Sequence, residues 1–230
     1  MNTLVELVER RLTVVQALAA NQCGGSYGDA CILISSLISG MAAGLWPGKH
    51  IDQSRFVEVW ARYADPSQLP NQVSVPLLAK SLRTEGRVAV AEVLEARRDQ
   101  LFGEGYSKRV LTGLEVDLAE ADVLRISPGL ALSDVRGYSY GAVFYEHVRS
   151  ALVHEYHLGA MASDWTMTRK DAGISYVNFS SSSDTFDIER RIYYHIPWLL
   201  AQVRSIARLV EPVLATGPIA RPKPWWVHGG

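Results

Sequence analysis

The sequence predicts a mainly α fold: one helical bundle with a small β-hairpin inserted before the last helix. Three observations carry that expectation. Apolar residues recur at helical spacing along most of the chain. One stretch, on either side of Asp171-Ala172-Gly173, alternates as strands do. No repeat and no clean linker divides the 230 residues, of which 48% are hydrophobic, so one domain over 1–230 with one sizeable core is expected. A Pro/Trp-rich tail, 216–230, closes it.

The elements follow in order. Leu4, Val5, Val8, Leu12, Val15 and Leu18 mark a first amphipathic helix, ended by the glycine-rich run 23–28. Asp29 is the expected cap of a second, apolar helix over Ala30–Trp46, stopped by Pro47-Gly48. Ser54 is the expected cap of a short helix that puts Phe56, Val59, Trp60 and Tyr63 on one face. After a turn over Asp65–Pro70, helices are expected over Val75–Leu82 and Arg87–Phe102. Tyr106–Leu124 reads as mostly helical despite Gly113, and Ser127-Pro128-Gly129 breaks the chain. A helix from Ser139 to Leu158 should stop at Gly159. Trp165–Lys170 and Ile174–Phe179 form the expected hairpin. Asp187 is then the expected cap of a last helix from Ile188 to Leu209, kinked at Pro197.

Composition narrows the function. The formal charge is −1, so a generic basic nucleic-acid coat is excluded and any RNA contact must be local. The two cysteines, Cys23 and Cys31, read as thiols of a cytoplasmic protein without a disulfide framework. Glu6, Glu9, Arg10 and Arg11 break up any apolar core of a signal peptide. The Ala30–Trp46 run falls short of the roughly 20 residues of a spanning helix, so no membrane is expected. Gly24-Gly25 and Gly103-Glu104-Gly105 follow no predicted strand and do not read as phosphate loops.

The reactive side chains concentrate in Tyr138–Gly159, YSYGAVFYEHVRSALVHEYHLG. At about 100° per residue, Glu146, Arg149, Ser150, His154 and His157 share one side of a helix, and Phe144, Tyr145, Val148, Ala151 and Leu152 the other. Arginine can neutralise a phosphoryl oxygen and histidine can move a proton near neutral pH. Arg149 and His154 are separated by about 140° on the helix, too far for a direct bond, but a second copy related by a two-fold axis would bring two of each to one cleft. The expected catalytic residues are therefore Arg149 and His154, with Glu146, Ser150 and His157 as substrate contacts. A metal site through His147, His154 and His157 is disfavoured, because His154-Glu155-Tyr156-His157 lacks the four-residue histidine spacing of a zinc helix. No metal and no cofactor are expected.

The segment Arg149-Ser150-Ala151-Leu152-Val153-His154 resembles the HEPN superfamily, whose RNases carry Arg, four to six residues, then His on a late helix of a helical bundle. The continuation His154-Glu155-Tyr156 and the apolar helix followed by Ser54-Arg55-Phe56-Val57-Glu58 are similar to that group as well. Arg190 with His195 and Arg221 with His228 also fit the spacing, the first on a predicted core helix and the second in the tail. The resemblance implies a metal-independent endoribonuclease that cleaves RNA by 2′-hydroxyl attack, a homodimer through the motif helix, and a toxin or phage-defence setting with an antitoxin or defence-system partner. The second reading it allows is a non-catalytic HEPN module that binds a nucleotide or a protein. The family often has Asn, Asp or His after the arginine. Ser150 stands there, able to bond a phosphate but not to act as an acid or base.

Overall fold

The structure, a computed structural model, describes residues 3–22, 24–102, 111–165, 173–180 and 188–229. Helix α1, Leu4–Ala19, opens with a reciprocal cap between Thr3 and Glu6 and buries Val8, Leu12 and Val15. Helix α2, Tyr27–Leu45, is capped by Ser26 rather than Asp29, which is its third residue and bonds back to the Ser26 amide at 2.8 Å. Starting at Tyr27 rather than Ala30, α2 is long and apolar enough, by length and composition, to cross a bilayer. In the fold Ala30, Cys31, Ile34, Ile38, Met41, Ala42 and Leu45 are buried, and α2 packs on α1, on α3 (Asp52–Tyr63) and on the last helix. Helix α3 has no side-chain cap; the Ser54 hydroxyl meets His228 of the tail at 3.1 Å instead.

A second group of helices follows a 3₁₀ turn at Pro66–Gln68. It comprises α4 (Val75–Thr84) and α5 (Val88–Phe102). In place of the expected helix over 106–124 stand strand β1 (Leu111–Thr112), the four-residue α6 (Gly113–Val116) and α7 (Glu120–Ile126); residues 106–110 lie outside the described residues. The reason is tertiary: Leu111 and Thr112 pair with a strand far along the chain, and the Glu115 carboxylate then accepts from the Thr112 amide at 2.7 Å at the start of α6. Helix α8, Leu132–Gly137, completes the group. Leu78, Leu82, Leu94, Val123 and Val135 form its own apolar cluster.

The sheet is antiparallel in the order β1-β2-β3, with β2 at Ile174–Ser180 and β3 at Ile188–Tyr194. Ile174 faces Tyr194 and Tyr176 faces Ile192. The hairpin is thus built from Ile174–Ser180 and the stretch expected to begin the last helix. Of the expected partner, Trp165–Lys170, only Trp165 is among the described residues, where it belongs to no strand; the rest lies outside them, as does Asp187. The last helix, α11, runs from Ile196 to Ala215 with Pro197 in its first turn, where a missing N–H costs nothing. Pro197 therefore starts the helix rather than kinking it.

The architecture is mainly α with a small hairpin before the last helix, as the sequence predicts. The tail is docked. Ile219 donates to the Leu45 carbonyl at 3.1 Å, Trp46 Nε1 to the Ala220 carbonyl at 3.2 Å, and Trp225 packs edge-on against Trp46.

Candidate functional site

Ser139 caps the site helix, its hydroxyl accepting from the Ala142 amide at 3.4 Å. The helix has three continuous parts: α9 (Tyr140–Phe144), a π turn (Tyr145–Ser150) and α10 (Ala151–Glu155). Backbone angles at both junctions stay in the right-handed helical region, so it is one rod. Its inner face is apolar: Phe144 lies 5.6 Å from the Trp60 ring and 5.0 Å from Tyr194, and Val148 and Leu152 are buried below it. Gly141 is required here, since a Cβ would stand 2.7 Å from the Trp60 indole. These contacts fix the helix rigidly enough to aim its outer face.

That outer face carries four of the five expected site residues, Glu146, Arg149, Ser150 and His154. Glu146 and His154 are exposed, and Arg149 and Ser150 half-buried. The π turn closes its bonds one residue later than an α-turn, so rotation per residue falls below 100° between Tyr145 and Ser150. Angles counted along an ideal α-helix are displaced there by tens of degrees. Single π turns occur often at functional sites, and this one contains Glu146, Arg149 and Ser150.

Arg149 places its guanidinium carbon 5.1 Å from the Tyr145 ring centre, and among the described residues it has no ion pair. The carboxylate of Glu146 accepts instead from Gln53 Nε2, at 3.5 Å. The first turn of α3 thus borders the site, and the charges of Asp52 and Arg55 reach Tyr145 as well. Burial raises the Tyr145 phenol above its ordinary range, and Arg149 pulls it partly back.

The helix ends earlier than the sequence suggests. Tyr156 takes a left-handed conformation, φ +57°, and stops it after Glu155. Gly159 then turns back, its amide donating to the His147 carbonyl at 2.8 Å, and its missing Cβ leaves room for the His147 ring. His157 therefore lies beyond the helix and off its outer face. Its Nε2 is 2.9 Å from Glu155 and its Nδ1 2.9 Å from the Leu158 carbonyl. His147 is half-buried under the turn, and burial lowers its pKa. Among the described residues no three of His, Cys, Asp and Glu are grouped to hold a metal.

Three features escaped the sequence reading. Tyr156, two residues after His154 in the chain, is 87% exposed and presents a face on which a base could stack. Its only sequence signal was adjacency. Ser175 and His195 bond at 2.8 Å, but Ser175 is fully buried and beyond reach of a substrate. Arg190, paired with His195 by spacing, lies on β3 rather than on a helix. The third feature is a buried cluster around Asp117. The free thiol of Cys31 is also buried, which pushes it up to about 12 and leaves it unreactive.

No family model, no curated protein and no solved structure matches the chain.

Proposed function

We propose that the protein is a metal-independent endoribonuclease of HEPN type, a cytoplasmic homodimer formed through the site helix. The carrying observation is the pairing of an Arg149 that has no ion-pair partner among the described residues with an exposed His154 on the outer face of one anchored helix. In this reading His154 takes the proton of an RNA 2′-hydroxyl. The 2′-oxygen attacks phosphorus, the bond to the 5′-oxygen breaks, and that oxygen leaves with a proton supplied by the second protomer's histidine. Arg149 neutralises charge developing on the phosphoryl oxygens. The products are a 2′,3′-cyclic phosphate and a 5′-hydroxyl. Ser150 contacts the phosphate, and Tyr156 stacks a flanking base. A toxin or defence role, with an antitoxin or defence-system partner, follows from the family resemblance.

The second reading is a non-catalytic HEPN module that binds a nucleotide or a protein. Two observations favour it: Glu146 is engaged by Gln53, and His157 by Glu155. That leaves one histidine per protomer as acid or base.

Incubation with total tRNA and a labelled RNA oligonucleotide in EDTA decides between them. The nuclease reading expects cleavage to cyclic-phosphate ends, with His154→Ala about 10²–10⁴-fold slower. Absence of cleavage, with RNA retained by the wild type and released by Arg149→Ala, moves the protein to the binding class. Cleavage abolished by EDTA rejects both.

A further inference from the structure

Asp117, which ends α6, turns its carboxyl into the core, where both oxygens are taken up. Oδ2 accepts from the Tyr140 hydroxyl at 2.6 Å and from the Tyr176 hydroxyl at 2.7 Å. Oδ1 accepts from the Val75 amide at 3.0 Å. The Ser74 hydroxyl lies 2.6 Å from that of Tyr176. One carboxyl therefore ties the entry of α4, strand β2 and the first turn of the site helix to α6.

The titratable groups facing it are phenols: Tyr140 from the site helix, Tyr176 from β2 and, more distantly, Tyr194 from β3. Glu115, on Asp117's own helix, is turned back to Thr112 at 2.7 Å. No cation contributes to the state of this carboxyl among the described residues. A charge buried without a counter-charge is costly, and such a group takes up a proton readily. A cleft lined by Gln72, Gly113, Tyr140 and Trp198 reaches the edge of the cluster and gives the proton a route.

We propose that Asp117, Tyr140, Tyr176 and Ser74 form a proton-operated latch on the root of the site helix. Ionised, the carboxylate accepts all three donors and Ser74 donates to Tyr176. When Oδ2 takes one proton from solvent, it donates to the Tyr176 oxygen, and the Tyr176 O–H turns to Ser74. Tyr140 and Val75 keep their bonds. The Asp117 carboxyl keeps three hydrogen bonds in each state, the Ser74 hydrogen turns away from Tyr176 in the protonated one, and one proton is exchanged with water.

The direction of the effect follows from burial, which pushes Asp117 up to about 7, against the pull of Tyr140, Tyr176 and Val75. In the unfolded chain an aspartate titrates near ~3.9. The stabilising protonated state is thus fully present below ~4, and its contribution is lost as pH rises through about 7.

The test is the unfolding midpoint of wild type, Asp117→Asn and Tyr176→Phe between pH 4 and 8. The wild-type midpoint should fall relative to Asp117→Asn as pH rises. Tyr176→Phe, which deletes one donor to the carboxylate, should extend that fall to higher pH. Infrared spectra of the wild type should show one carboxylic C=O band that titrates near neutrality and is missing in Asp117→Asn. Parallel pH courses for the three proteins, or no such band, overturn the latch. If Asp117→Asn fails to fold, Tyr176→Phe and the wild-type band decide. None of these readouts involves RNA, so the latch stands or falls apart from the nuclease reading.

Discussion

Gly113 shows how one missing methyl group sets the geometry of the whole site helix. A Cβ there would lie 2.2 Å from the Tyr140 hydroxyl, 2.9 Å from Asp117 Oδ2 and 3.2 Å from Ile174. Tyr140 cannot retreat, because its hydroxyl is bonded to Asp117 and its carbonyl accepts from Tyr194 at 2.8 Å. Gly113→Ala should cost about 2–4 kcal/mol, combining overpacking with the loss of a buried hydrogen bond. Gly40, inside α2, has open space around its Cα, so Gly40→Ala should gain up to about 1 kcal/mol through helix propensity. Urea unfolding of the two variants checks the contrast; equal losses would mean that the Gly113 environment yields. That Arg149 and His154 share the exposed side of one helix could be read in the sequence, because both lie in a single helical segment. Asp117 was not, since Val75, Tyr140 and Tyr176 come from three distant segments.

At the scale of elements, the tail and the hairpin make opposite points. Glu58 on α3 is fully buried; Arg62 pairs with one carboxylate oxygen, and the Trp226 amide donates to the other at 2.6 Å. Arg136 lies 4.6 Å over the Trp226 ring and donates to the Trp226 carbonyl at 2.7 Å. Trp226→Ala keeps the amide and removes only ring contacts, so about 1–3 kcal/mol should be lost for this half-buried side chain. Deleting residues 217–229 also strips a donor from a buried carboxylate, and the total loss should exceed that of Trp226→Ala by a further ~1–3 kcal/mol. Equal midpoints in guanidinium unfolding would show that the amide bond to Glu58 contributes nothing. The sequence marked the tail by its prolines and tryptophans but left open whether it frays or docks. Strand β3 was misread for a different reason. Ile188, Ile192 and Ile196 are spaced by four, which fits both a helix near 3.6 and a strand of period two. Pro197 was the arbiter: a proline belongs in the first turn of a helix, which puts Ile188 and Ile192 outside it. The two-residue β1 and the π turn had no local signature at all, because each depends on what the chain meets in space.

At the scale of the molecule, two apolar clusters divide the work. The larger joins α1, α2, α3, the site helix, the sheet and α11, and includes Phe144, Val148 and Leu152. The smaller is confined to α4, α5, α7, α8 and their flanks. Tyr138 packs against both. Asp117 spans the division by its bonds: Val75 belongs to the smaller cluster, Tyr140 and Tyr176 to the larger. Local stability follows the apolar surface each part buries. Amides of α4, α7 and α8 should therefore exchange with solvent through a partial opening, while those of α2, α11 and Val143–Leu152 should exchange only on global unfolding. Native-state hydrogen exchange at increasing urea, normalised to intrinsic rates, would show this as two classes with different urea dependence. One class throughout would mean that the clusters unfold together. Because the protonated latch stabilises the tie between them, the gap between the classes should widen as pH rises from 5 to about 7. In Asp117→Asn it should stay constant. The site helix lies on the slow side of the division, so Arg149 and His154 should keep their places while the smaller cluster opens.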